Sequence, residues 1–90
     1  MAQRPREAAP WANLARTLRR QGESALADEA FASAFAAEPT DAQLLWERAE
    51  TLRRAGKLAE SKKLLRQLAD GTWQPRFATL KRQARTQLQR

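Results

Sequence analysis

Apolar positions recur along this chain with the spacing of helices. Leu14, Ala15 and Leu18 follow Trp11 by three, four and seven residues, and after Gly22 the series Leu26, Ala27, Ala30, Phe31 and Ala34 steps in the same way. No segment alternates with a period of two, so no strand is expected. The pattern predicts an all-α chain of about five helices, over residues 9–21, 24–37, 41–55, 58–69 and 75–89. Gly22 and Gly56 stand where the first and third helices stop, a place that often requires a left-handed backbone. Pro10 suits a first helical turn, Pro39 ends the second helix, and Asp41 is placed to cap the third through its carboxylate. The fourth helix carries Leu58, Leu64, Leu65 and Leu68 on one face, and Asp70-Gly71 reads as its stop.

The chain also repeats itself. At an offset of 34 residues "TLRRQG" (Thr17 to Gly22) falls on "TLRRAG" (Thr51 to Gly56), five identities in six positions. The same offset pairs Trp11 with Leu45, Ala15 with Ala49, Phe31 with Leu65 and Ala34 with Leu68. A period of this length marks stacked supersecondary units, here antiparallel helix-turn-helix pairs.

In order and spacing, Trp11, Leu14, Ala15, Leu18, Gly22, Ala27, Phe31, Ala34 and Pro39 resemble the signature of the tetratricopeptide repeat family. The resemblance divides the chain into an N-terminal extension (residues 1–7), a first repeat (8–41), a second (42–75) and a C-terminal capping helix (76–90). The second repeat keeps Leu45, Ala49, Leu52, Gly56, Leu65 and Leu68. It departs at Arg48, Ser61 and Trp73, where the family usually has leucine, alanine and proline. The fifth helix has a narrow apolar stripe of Phe77, Leu80, Ala84 and Leu88 and resembles the helix that closes many such arrays, with Trp73 packed beneath its start.

What the resemblance implies is an α-α superhelix and a protein-protein interaction module. The first helix of each repeat would line a concave groove that takes a peptide or helix of a partner. By repeat position that inner face holds Asn13, Arg16 and Arg19, beside Ala9 and Ala12, and then Trp46, Glu47, Glu50 and Arg53, beside Gln43. The fifth helix would add Ala78 or Lys81. Asn13 matches an asparagine that the family often uses to hold a ligand backbone; as an ordinary exposed helix residue it would look the same. Members that grip a chaperone's C-terminal carboxylate use lysines and asparagines where this chain has Ala12, Arg16 and Glu47, so no such clamp is expected. An acidic peptide remains compatible with Arg16, Arg19 and Arg53.

Composition narrows the chemistry. The 90 residues include no histidine, cysteine or tyrosine, so imidazole bases, thiolate nucleophiles and the usual zinc ligands are missing together. Glu47 and Glu50 share a helix face, but Arg48, Arg53 and Arg54 surround them, and a solvated ion-pair face is the expectation rather than a catalytic pair. No enzyme activity and no cofactor are predicted. There is no run of roughly 20 apolar residues to span a bilayer and no apolar core of a signal peptide, which makes the cytoplasm the default compartment.

The formal charge of +7 adds a second possibility. Residues 1–60 carry nine basic and nine acidic side chains, whereas residues 61–90 carry eight basic ones against Asp70. Lys62, Lys63, Arg66, Lys81, Arg82 and Arg85 would make a basic patch for nucleic acid or an anionic surface, or a solvated face that confers solubility. Two repeats are also fewer than such arrays usually need. The capping helix, a homo-oligomer that stacks open ends, or membership of a longer array would each supply the rest.

The two tryptophans that open first helices differ by one position. Leu45, not Trp46, is the equivalent of Trp11. Trp11 is therefore expected in the core of its own helix pair, and Trp46, rotated by about 100°, on the inner face. There Trp46 is either a ligand anchor or a packing residue against a neighbouring first helix, over Ala12 or Ala15, or against the fifth helix.

Overall fold

A computed structural model describes residues 8–89; the expected N-terminal extension, residues 1–7, lies outside the described residues, as does Arg90. Five α-helices run in order, α1 (Ala8–Arg20), α2 (Ser24–Ala37), α3 (Ala42–Arg54), α4 (Leu58–Asp70) and α5 (Ala78–Leu88), the last entered through a short 3-10 turn at Pro75–Phe77. The fold is all-α, with no strand among the described residues.

The local signals act as their chemistry dictates. Gly22 and Gly56 have φ of +82° and +84° and close α1 and α3 in the same way. In each turn the glycine N–H donates to the carbonyl three residues back, at 3.0 Å, and the next N–H donates five residues back, at 2.9 Å. These two bonds satisfy carbonyls that a helix end leaves free. Paired arginines, Arg19 and Arg20 on α1 and Arg53 and Arg54 on α3, lie in the last turns, where positive charge complements the helix dipole. At the start of α3 the Asp41 side chain accepts the Gln43 backbone N–H at 3.0 Å.

Each consecutive pair of helices packs together, α1 with α2, α2 with α3, α3 with α4 and α4 with α5. Two apolar clusters result. The first is built mostly of alanine, with Ala8, Ala12, Ala15, Ala30 and Ala34 around Phe31 and Leu44. The second is leucine-rich, with Leu45, Leu52, Leu64, Leu65 and Leu68 reaching Phe77 and Ala84. Phe35 packs against both and joins them. On α5, Ala84 is fully buried and Leu80 and Leu88 are half-buried, so the expected stripe lies against the second cluster.

The three unusual residues of the second pair each have a structural task. Ser61 is 2% exposed, and its hydroxyl donates to the Ala49 carbonyl at 2.8 Å, so a polar atom is satisfied where α4 crosses α3 closely. Arg48 reaches back to Asp28 on α2 at 2.5 Å. The Trp73 indole N–H donates to the Leu68 carbonyl at 2.8 Å, and its ring stands 6.3 Å from that of Phe35. Trp73 thus closes the end of α4 and touches α2, rather than simply underlying α5. Gly71 ends α4 for a steric reason, since its φ is −76° and a Cβ there would lie 2.7 Å from the Trp73 indole nitrogen.

Two expectations about apolar side chains are corrected. Trp11 is not core: it is 45% exposed, as is Leu14, because α2 covers only one side of α1. Leu58, at the first turn of α4, is 55% exposed and does not join Leu64, Leu65 and Leu68 inside.

Candidate functional site

Residues from α1, α3 and α5 meet around one hollow of about 520 Å³. Arg19 borders it from α1, Trp46, Glu50, Arg53 and Arg54 from α3, and Gln87 from α5. The α3 residues converge there because Trp46, Glu50, Arg53 and Arg54 lie three or four positions apart along one helical face. A smaller hollow of about 310 Å³ adjoins it between Trp46 and the Gln83, Thr86 and Gln87 side of α5. Trp46 borders both hollows. Its other side packs on the leucine-rich cluster, so the indole is half-buried and half presented to the hollows.

Beside Trp46 the carboxylate of Glu47 is held by a fork. Arg16 Nε and an Arg16 terminal nitrogen donate to its two oxygens at 2.9 and 2.7 Å, with Gln43 at 3.3 Å and Arg19 at 3.5 Å. Parallel donation from a guanidinium to a carboxylate is the strongest form of side-chain ion pair. The next carboxylate, Glu50, accepts from Arg53 at 2.7 Å and from the Gln87 amide at 2.9 Å. Both acids of the inner face are therefore neutralised within the chain, and they tie α1, α3 and α5 together.

Burial pushes the Glu47 carboxyl up, but the Arg16 hydrogen bonds and charge, with help from Gln43 and Arg19, outweigh it and hold the group below the usual range. Glu50 behaves alike: burial raises it, and Arg53 and Gln87 bring it below. The Arg16 guanidinium is raised, chiefly by its bonds to Glu47.

Glu47 and Glu50, lowered in the fold, add stability that is present above the unfolded carboxyl pKa of about 4.3 and lost as pH falls through their folded values. The side chain of Glu47 is only 11% exposed, but that of Arg16 is 37% exposed, so water weakens the pair. Its contribution is expected to be about 1 kcal/mol, below the range for fully buried hydrogen bonds to charged groups because solvent screens the exposed arginine. Thermal melts at neutral pH and below about pH 4 should show the wild type losing more stability than Glu47→Gln. Equal losses in the two proteins would remove Glu47 from the acid response.

The seven inner-face residues expected from the sequence separate into groups. Arg19, Trp46, Glu50 and Arg53 border the hollow, as does the buried Glu47. Arg16 is occupied with Glu47, and Asn13 is exposed, outside the hollow's lining. Glu47 departs from the expected solvated face, since it is 8% exposed and its main partner is on another helix. From α5 the structure brings Gln83 and Gln87 rather than Ala78 or Lys81. No periodic signal marks a glutamine, so these two are not legible in the sequence; Arg54, expected only beside the acids, also borders the hollow.

Of the basic patch, Lys62, Lys63, Arg66, Arg82 and Arg85 are exposed and Lys81 is half-buried, on helices α4 and α5 that pack together. Among the described residues none of the six is in an ion pair. Also among the described residues, no group of histidine, cysteine or acidic side chains could hold a metal ion, and no helix is long and apolar enough to cross a membrane. No protein-family model, curated protein or solved structure matches the chain.

Proposed function

We propose that this chain is a protein-interaction module that takes an extended peptide or a helix of a partner protein in the hollow between α1, α3 and α5. The observation that carries the reading is Trp46, a large apolar surface at the junction of two hollows and seated on the core behind it. A rigidly backed aromatic ring rimmed by polar groups is the usual make-up of an interface hot spot. The tetratricopeptide-like register, with first helices on the inner side, supports the same use of this face.

The lining also selects the ligand. Three arginines, Arg19, Arg53 and Arg54, border the hollow against two glutamates that already have partners. Amides from Gln43 and Gln87 add donors and acceptors suited to a peptide backbone. The module is read as preferring an apolar anchor residue next to acidic ones.

Peptides selected from a random library on the immobilised chain test this. They are expected to combine an apolar anchor with acidic neighbours and to bind Arg54→Glu at least tenfold more weakly. Raising salt from about 50 to 200 mM should weaken them modestly, whereas a protein that grips many phosphates through the α4 and α5 basic residues would lose about a thousandfold or more. Peptides indifferent to Arg54→Glu, or a nucleic acid bound more tightly and with steep salt dependence, would overturn the reading.

A further inference from the structure

One junction between successive helix pairs is held by opposite charges, and the next sets like charges in the same place. Where α3 packs on α2, Arg48 of α3 reaches Asp28 of α2 at 2.5 Å. The internal repeat puts Lys62 of α4 in the position of Asp28. On α5, Phe77 and Ala84 are buried and Leu80 is half-buried, as Leu44, Thr51 and Glu47 turn inward on α3. That register sets Lys81 in the position of Arg48, and both of these bases are half-buried. An acid and a base at the first junction are thus two lysines at the second. Among the described residues neither lysine is in an ion pair.

Two arginines extend the seam. Arg66 follows Lys62 and Arg85 follows Lys81 by four residues, which is one helical turn or about 6 Å along the same face. Both are exposed, and among the described residues neither is in an ion pair. Helix α5 carries three bases and no acid, and the acids of α4, Glu60 and Asp70, stand toward its two ends. None of the four cations borders the hollow at Trp46, which takes Gln83 and Gln87 from α5. We infer that the seam between α4 and α5 binds the phosphate backbone of a nucleic-acid duplex without regard to sequence, as a second surface independent of the peptide hollow.

The density of charge selects that partner. Packed helices lie about 8 to 10 Å apart, so Lys62, Arg66, Lys81 and Arg85 crowd into a strip a few turns long. A duplex carries one negative charge for about every 1.7 Å of its axis and can set a phosphate against each of them. The surroundings exclude the other polyanions. Apart from Leu58 at the start of α4, the exposed side chains of α4 and α5 are charged, polar or alanine, so nothing large and apolar enters a lipid surface. No aromatic ring on these two helices is exposed, so the unpaired bases of a single strand find nothing to stack on. A bound phosphate also supplies the negative charge that Asp28 supplies at the first junction.

Fluorescence anisotropy of a labelled DNA duplex of about 20 base pairs, titrated with the full 90-residue chain, tests the inference. The expected Kd lies between about 1 and 100 µM, and four phosphate contacts should weaken it about 150-fold between about 50 and 200 mM salt. Lys62→Asp restores the acid that the first junction has. It is expected to raise the melting temperature by a few degrees, because an ion pair replaces a repulsion. The same change should weaken the duplex at least about tenfold and lower the salt slope by about two, since it removes one cation and neutralises another. Arg85→Gln should lower the slope by about one. Arg20→Glu, at an exposed position on α1, changes the net charge as much as Lys62→Asp does and should leave the affinity within about twofold. No binding at about 50 mM salt, or equal losses in Arg20→Glu and Lys62→Asp, would overturn the inference. A lowered melting temperature in Lys62→Asp would do the same, by showing that the two lysines do not meet. Vesicles of phosphatidylserine and phosphatidylcholine bound more tightly than the duplex would give the seam to a membrane and overturn it equally.

Discussion

Phe31→Ala is expected to destabilise the chain by about 3 to 5 kcal/mol, the range for removing a buried aromatic ring from a core. Phe31 is completely buried, and its neighbours in the first cluster are mainly Ala8, Ala12, Ala15, Ala30 and Ala34. Methyl groups cannot swing into the space that the ring leaves, so the cavity should persist and the cost should lie high in the range. The Arg19 guanidinium, 5.6 Å from the ring centroid, would lose its cation–π contact as well. A domain of this size has a total stability of about 5 to 13 kcal/mol, and a short chain belongs toward the lower figure. The variant is therefore expected to be partly unfolded at 25 °C without denaturant. Urea titration followed by circular dichroism would measure it, with a lowered midpoint and an unchanged slope as the signature of lost stability. A loss below about 1 kcal/mol would mean that the alanine-rich pair collapses onto the vacancy, contrary to the packing described.

That cluster also shows what a sequence of this kind reveals and what it withholds. Helix periods, the two left-handed glycines and the Asp41 cap are local signals, each set by a few neighbouring residues, and the observed helix ends lie within one residue of those expected for the first four helices. Trp11 illustrates the limit. Its position on the apolar stripe was legible, but burial requires a second surface, and α2 covers Ala12 and Ala15 while leaving Trp11 and Leu14 in solvent. Hydrophobic periodicity gives a direction on a helix, not the element that covers it.

Glu47 shows the same limit for charge. Within α3 its nearest bases in sequence are Arg48, Arg53 and Arg54, which suggested local pairs on a wet surface. Its actual partner is Arg16, 31 positions away, brought there by the stacking of one helix pair on the next. A signal for that contact did exist. Helix α1 carries three arginines and no acid, while α3 carries Glu47 and Glu50, which line the hollow that Arg19 borders from α1. The charge complement that makes the fork lies between successive first helices, not within either one.

Trp46→Ala is expected to have two separate effects, because the indole has two surfaces. Its core side rests on the leucine-rich cluster, and its other side borders the hollows toward Gln83 and Gln87. A half-buried ring should cost less than a fully buried one, about 1.5 to 3 kcal/mol of stability. Affinity for a peptide selected on the hollow should fall by about 2 kcal/mol or more, some 30-fold, as it does when an interface anchor is truncated. Trp46→Leu separates the two contributions. A leucine can restore much of the contact with the core but cannot reach both hollows, so stability should recover toward that of the wild type while binding stays weak. Calorimetric titration at a temperature where all three proteins are folded makes the comparison. Binding that recovers together with stability in Trp46→Leu would show that the indole only supports the fold, and the ligand contact would then have to lie elsewhere on the inner face.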